Sequence, residues 1–294
     1  MSEYTRFGIG GVADVVVDAH TEASMIAALA LDVPMEVIGE GSNLIVADEG
    51  FRGVILRYRG AAVEFEGTCV RVAAGALLQT LVDKTIARGL AGLHTMTGIP
   101  GSVGAAVYGN AGAYGRSISQ SVFSVRSCDA AAVAVRSNEE CEFQYRESAF
   151  KRHKQWIILT AELHLEKGDA AELRAQADDI RKIRDEKYPP SMRCAGSIFK
   201  NLMLAQLDAG VQARVPPRMV REGKVPAAWF LEEAGVKGMR RGGIEVAEYH
   251  ANLIYNAGGG TAADLRTVIA DCKSRVGDKF GFMLEEEVQF IGFF

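Results

Sequence analysis

A chain of 294 residues exceeds the roughly 100–200 residues usual for one domain, so two domains are expected, with room for a third. With 48% apolar and 24% charged residues it falls among ordinary globular proteins, and no apolar run approaches the ~20 residues needed to span a bilayer. A net charge of −4 gives no general attraction for nucleic acid or an anionic membrane, so any bound anion must be held locally.

The opening "MSEYTRFGIGG" has neither the basic start nor the apolar stretch of a secretory signal, and a cytoplasmic protein is expected. The five cysteines (Cys69, Cys128, Cys141, Cys194 and Cys272) are widely spread, with no CxxC pair and no histidine at ligand spacing. Neither a disulfide framework nor a zinc site is expected from them.

In chain order, "ADVVVDA" (13–19) reads as a strand and "EASMIAALAL" (22–31) as a helix with Thr21 as its N-cap. "MEVIGEGSNLIVAD" (35–48) gives a strand, a Gly-x-Gly turn and a second strand. Strand-like runs follow in "GVILRY" (53–58) and "CVRVAAGA" (69–76), with Glu66-Gly67-Thr68 as the turn before the latter. "LLQTLVDKTIARG" (77–89) is an amphipathic helix with Leu77, Leu78, Leu81, Val82 and Ile86 on one face and Gly89 as its stop.

Beyond a glycine-rich segment come three strand candidates, "QSVFSVRSCD" (120–129), "AAVAVRS" (131–137) and "WIILTAELHL" (156–165). A charged amphipathic helix (170–188) then ends at Pro189-Pro190, the best domain boundary. The C-terminal third alternates again: "GSIFKNL" as a strand, "AAWFLEEAG" as a helix, "ANLIYNA" as a strand, a helix over 261–281 capped by Thr261 and Asp264, and "MLEEEVQFIGFF" as a closing strand. The expected division is 1–168, with subdomains of about 1–60 and 61–168, a connecting helix over 169–186, and a second domain over 187–294.

The glycine-rich segment is "GLHTMTGIPGSVGAAVYGNAGAYG" (92–115). Its Gly98-x-x-Gly101-x-x-Gly104 spacing is not the dinucleotide fingerprint, and no Walker A sequence is present. Glycine-exposed amides with Thr97 and Ser102 suit a phosphate cradle, and a plain connecting loop fits the spacing equally well. "GEGSNLIV" (39–46) presents Ser42 and Asn43 on a second such turn. Two such loops favour a large phosphate-bearing ligand over either loop alone.

"FQYRESAFK" sets Tyr145 and Arg146 among other charges, where a guanidinium either grips a carboxylate or joins a solvated face. "AGSIFKN" places Ser197 outside any G-x-S-x-G elbow, and "LEEEV" places Glu285 and Glu287 on one face of a strand.

Taken in order, "TRFGIGG", "GEGSNLIV", the glycine-rich segment, "FQYRESAFK", "GSIFKN", "GVKGMRRGG" and "LEEEVQFIG" resemble the UDP-N-acetylenolpyruvoylglucosamine reductases of bacterial cell-wall synthesis. The resemblance runs from residue 5 to residue 292. It implies an α+β chain: an FAD-binding fold of the vanillyl-alcohol-oxidase type in two α/β subdomains, with a C-terminal α+β substrate domain. FAD would be held without a covalent link by Gly39, Gly41, Ser42, Asn43, Leu44, Thr97, Gly98, Ile99, Pro100, Gly101, Ser102, Gly104, Asn110, Ala111, Gly112 and Ala113.

In such enzymes NADPH reduces the flavin, and the enolpyruvyl sugar nucleotide then takes a hydride at its methylene carbon and a proton at the neighbouring carbon. By motif position Ser197 matches the proton donor, Arg146 the invariant arginine and Glu287 the catalytic glutamate. Tyr145, Arg146, Lys200 and Asn201 match substrate contacts. No metal, nucleic acid or membrane partner is implied.

About fifty residues separate Arg146 from Ser197, mostly used by a strand and a helix, so the chain resembles the shorter type without an extra tyrosine loop. It departs from the family at Leu202, at "MRCAGS", at Ile244 and Ala247, and at 209–225, which reads as added loop. A flavin oxidase of the wider fold and a non-catalytic sugar-nucleotide-binding flavoprotein are the alternatives. Ser42 and Asn43 occupy the loop where many such oxidases attach flavin through a histidine.

Overall fold

The structure, a computed structural model, describes residues 1–129 and 132–293. The chain opens with β1 (Ala13–Ala19), α1 (Glu22–Leu29), β2 (Met35–Ile38), β3 (Leu44–Val46) and β4 (Phe51–Tyr58). Then come β5 (Val63–Glu66), β6 (Cys69–Ala73), α2 (Leu78–Ile86), β7 (Leu90–Ala91), α3 (Val103–Tyr108) and the short pair β8 (Gly112–Ala113) and β9 (Arg116–Ser117). The middle of the chain holds β10 (Val122–Cys128), β11 (Val133–Ser137), α4 (Ala149–Arg152), β12 (Ile157–His164), β13 (Glu166–Lys167) and α5 (Ala170–Lys187). The last third comprises β14 (Leu202–Met203), α6 (Ala209–Gln212), β15 (Lys224–Val225), α7 (Ala227–Glu233), β16 (Arg240–Arg241), β17 (Ile244–Val246), β18 (Ile254–Asn256), α8 (Ala262–Phe280) and β19 (Gln289–Ile291).

These elements form two compact units, one of Ala13–Glu40 with Arg52–Pro190, the other of Met1–Val12, Gly41–Phe51 and the chain from Ser191 onward. In the first, β2 pairs in parallel with β4 beside β1, and an antiparallel sheet runs in the order β11-β10-β12-β6-β5. Alternation sets its two faces. Val70 and Val72 of β6 and Ala161 and Leu163 of β12 are fully buried, and they pack with Leu78, Leu81 and Val82 of α2.

Thr21 caps α1 through a capping box with Ser24, as the N-cap expectation holds. Leu77 departs from expectation: it precedes α2 as N-cap and is 47% exposed. The strand β5 has its signal in the alternating "VEFE". Ala131, expected within a strand, and Phe294 at the expected closing strand lie outside the described residues.

In the other unit β3 pairs in parallel with β19, and Leu44, Ile45 and Val46 are all buried, the pattern of a strand covered on both faces. Its core gathers Phe7, Ile198, Phe199, Phe230, Ile244 and Phe280, with Phe230 edge-on to Phe280 at 5.1 Å and to Phe282 at 5.0 Å. The stretch expected as added loop is built in: β15 pairs with β14, and Val211, Val215 and Val225 are buried in this core. α8 starts at a Thr261–Asp264 capping box and ends at Gly281 with φ 80°. Among the described residues no helix is long and apolar enough to cross a membrane.

"GSIFKNL" does not form the regular strand expected. Single bridges join Ser197 to Leu253 and Phe199 to Glu286, and only Leu202–Met203 continues as β14. The gap is filled by a side chain: Asn252, 2% exposed, accepts from the Phe199 N–H at 2.9 Å and donates to the Phe199 carbonyl at 2.9 Å. One amide thus imitates a neighbouring strand.

Replacing Asn252 by Ala strands a buried N–H and a buried C=O, each costing ~1–3 kcal/mol. The urea midpoint of N252A should fall by an amount equivalent to ~2–6 kcal/mol. A midpoint unchanged from wild type would show that the Phe199 peptide is held by something else.

Candidate active site

In the first unit the glycine-rich segment follows α2 and passes through a short turn (His94–Met96) into α3, which Ser102 caps by accepting from the Ala105 N–H. Its glycines serve different ends. Gly98 and Gly101, at φ 79° and 122°, hold backbone conformations that strain any other residue. Gly104 instead lets α3 sit on the end of β6, since a Cβ there would lie 2.8 Å from the Ala74 Cβ, and Gly112 lets β8 approach the Arg116 carbonyl.

Several amides of this segment already have partners. Thr97 donates to His94 O, Gly98 to Gln79 Oε1, Ile99 to Met96 O, Val103 to Ala76 O and Gly104 to Ala74 O. Among the described residues the amides of Gly101 and Ser102 donate to no protein acceptor. Thr97, 2% exposed, has a buried hydroxyl without a protein partner. Two open amides and an orphaned hydroxyl around exposed Pro100 fit a polar group brought by a ligand, as an FAD diphosphate would be.

Gly39 joins this cluster, because a Cβ on it would lie 3.0 Å from Ser102 Oγ. Ile99, Ala111 and Ala113 are half-buried. Burial, with the charge of Arg116, holds the His94 imidazole below its ordinary pKa.

Arg146 is built into the same unit. Gln144 and Glu147 exchange backbone hydrogen bonds at 3.0 and 3.1 Å, leaving Tyr145 and Arg146 as the two central residues of a tight turn. Arg146 has φ 57°, an unusual value for a residue with a side chain. Lys151 Nζ donates to the Arg146 carbonyl at 2.7 Å, Ser148 Oγ to the Tyr108 carbonyl at 2.6 Å, and Asn110 Nδ2 to the Gln144 carbonyl at 2.8 Å.

Arg146 Nη2 in turn donates to Gly112 O at 3.0 Å, and its guanidinium carbon lies 5.4 Å from the centre of the Tyr145 ring. The solvated face is elsewhere, at the exposed Arg152–Glu142 pair. Asn110, named for the cofactor, spends both ends of its side chain on the protein, on Gln144 O and the Ser119 N–H.

Gly41, Ser42, Asn43 and Leu44 belong to the other unit, with Ser197, Lys200, Asn201 and Glu287. A Cβ on Gly41 would strike the Tyr4 carbonyl at 1.7 Å, so packing alone demands glycine there. Asn43 Nδ2 donates to the Glu287 carbonyl at 2.9 Å, and the Glu287 N–H donates to Ile198 O at 2.7 Å. The peptide of Glu287 is therefore fixed between Asn43 and the run that carries Ser197. Lys200, 9% exposed, pairs with Glu285, while Lys273 pairs with Glu286 at 2.8 Å. Asn201 Oδ1 accepts from the Ala227 N–H at the start of α7.

Sequence reasoning passed over Asn252, Ser148 and Gln79, all of which hold site backbone. Asn252 alone left a trace, as one of two asparagines, with Asn256, in a run read as a strand, where that residue type is depleted.

A model described as FAD binding domain matches residues 13–137, and one described as UDP-N-acetylenolpyruvoylglucosamine reductase, C-terminal domain, matches residues 188–291. A UDP-N-acetylenolpyruvoylglucosamine reductase of Solibacter usitatus is 55% identical over 296 residues, covering 99% of this chain and 95% of its own. One from Rubrobacter xylanophilus is 35% identical, covering 99% and 93%. The crystal structure of the UDP-N-acetylenolpyruvylglucosamine reductase of Thermus caldophilus superposes with a TM-score of 0.78 at 29% identity, covering 99% of this chain and 96% of that one. With this likeness along nearly its whole length, the chain belongs to the UDP-N-acetylenolpyruvoylglucosamine reductase family and has its FAD-binding fold and C-terminal domain.

Proposed function

We propose that this chain reduces UDP-N-acetylglucosamine enolpyruvate to UDP-N-acetylmuramate in the cytoplasm, with non-covalent FAD and with NADPH as the hydride source, as a step of peptidoglycan precursor synthesis. The observation that carries this reading is the 55% identity to a reductase of that name across 99% of the chain. Residues 1–168 are assigned to the cofactor and 187–294 to the substrate. FAD supplies the two-electron hydride chemistry that no side chain offers.

The cofactor residues are those named above, with the Gly101 and Ser102 amides and the Thr97 hydroxyl assigned to the diphosphate. Asn110 and Gly41 shape the loops, as their internal contacts support. Tyr145, Lys200 and Asn201 are assigned to the sugar nucleotide.

Arg146 and Glu287 are assigned to the charge that gathers on the substrate carboxylate as the neighbouring carbon becomes enolic. A guanidinium on a turn locked by Lys151, Ser148 and Asn110 reorganises little when that charge develops, which is where electrostatic catalysis gains most. Ser197 is assigned as proton donor. A hydroxyl is a weak acid, yet an enolate carbon is a strong enough base for a positioned one to serve.

Purified protein should be yellow, release intact flavin on denaturation, and oxidise NADPH only when the enolpyruvyl sugar nucleotide is added. Oxygen-driven turnover at a comparable rate without that substrate would refute the assignment. In stopped flow, Ser197→Ala should keep flavin reduction by NADPH and lose ~10²–10⁴-fold in the second half-reaction. Survival of both half-reactions would remove Ser197 as the acid. Arg146→Lys should cost ~3–4 kcal/mol in kcat/KM with the circular dichroism spectrum unchanged, and a loss below tenfold would contradict its role.

A further inference from the structure

We propose that Cys69, Glu162 and His164 form a site for a thiophilic divalent cation, Zn²⁺ being the best match, on the outer face of the five-stranded sheet. The register of β6 against β12 sets His164 directly opposite Cys69 and Glu162 opposite Arg71, two positions along. Strand alternation turns all of these away from the core, since the intervening Val70 and Leu163 are fully buried. One ligand atom from each of Cys69, Glu162 and His164 lies within 4.8 Å of the others. Tetrahedral zinc with one sulfur, one nitrogen and one oxygen ligand needs separations of about 3.4–3.6 Å, a side-chain adjustment away.

The pair most easily misaligned is already in place. His164 Nε2 faces Glu162 Oε1 at 3.3 Å, while Arg71 Nη2 holds the other oxygen, Oε2, at 3.3 Å. The carboxylate is thus divided, one oxygen for the cation and one anchored to a charged donor, the arrangement that orients metal ligands. The His164 ring is stacked on Phe123 at 4.1 Å and 13°, which fixes its plane. Across the β5–β6 hairpin Glu66 stands opposite Cys69 and adds a second carboxylate beside the site.

The sulfur ligand is the half-exposed Cys69 thiol. On binding, the S–H bond breaks, a zinc–sulfur bond forms and the proton leaves to solvent, with no change of oxidation state. Water takes the fourth position. A mixed S, N and O set selects Zn²⁺ or Co²⁺ over Mg²⁺ and Ca²⁺, which prefer oxygen alone.

The test exploits a chemical contrast, because Cys69 is the one cysteine of five that is not buried. Flavin-loaded enzyme is dialysed against micromolar Zn²⁺, the retained metal is counted, and the rate of Cys69 alkylation by iodoacetamide is followed by peptide mass spectrometry. One zinc per chain and at least tenfold slower alkylation of Cys69 are expected. His164→Gln and Glu162→Gln should each lose the bound zinc and the protection, and Cys69→Ser the bound zinc. Protection that survives both Gln variants, zinc retained without protection, or no zinc retained by the wild type would overturn the assignment.

Discussion

Phe199 is hydrogen-bonded at both its N–H and its C=O by the buried amide of Asn252, and the arrangement around Ser197 depends on that pair of hydrogen bonds. The run Ser197–Lys200 is too irregular to be a sheet strand, with isolated bridges to Leu253 on one side and Glu286 on the other. Asn43 then fixes the Glu287 carbonyl from a segment far away in sequence. Buried amide-to-peptide bonds of this kind are strong because no water competes for them. They let two short, irregular pieces of chain hold fixed positions without continuous sheet.

The first unit solves the same problem for a charge. Arg146 sits at φ 57°, a conformation that costs an L-residue ~1–2 kcal/mol, and the cost is offset by bonds from Lys151, Ser148 and Asn110 around the turn. Relaxing the backbone would swing the guanidinium off Gly112 O. Strain held at one residue by several neighbours is what a fixed, preorganised charge requires. The glycine-rich segment takes part as well, with Tyr108 O accepting from Ser148 and Gly112 O from Arg146.

Much of this was legible in the sequence because it rests on local rules. Thr21 and Thr261 announced their helices by hydroxyls at the cap, and apolar periodicity placed α2, α5 and α8. The ordered motifs carried the family. What stayed hidden is set by contacts between residues distant along the chain. Nothing near Asn252 says that it clamps Phe199, and nothing near Gly41 or Gly104 says that one clears Tyr4 and the other Ala74, so their glycines read as ligand approach. The segment 209–225 reads as loop because its valines are separated by charge and proline, yet Val211, Val215 and Val225 reach the core. Cys69 and His164 likewise meet only through strand register.

A proton delivered by one fixed group reaches one face of the enolic carbon. Running the reaction in D₂O and reading the product by NMR and mass spectrometry tests this directly. The expected product carries deuterium on the carbon that bears the carboxylate, in a single configuration. A mixture of configurations at that carbon would contradict delivery from a positioned Ser197.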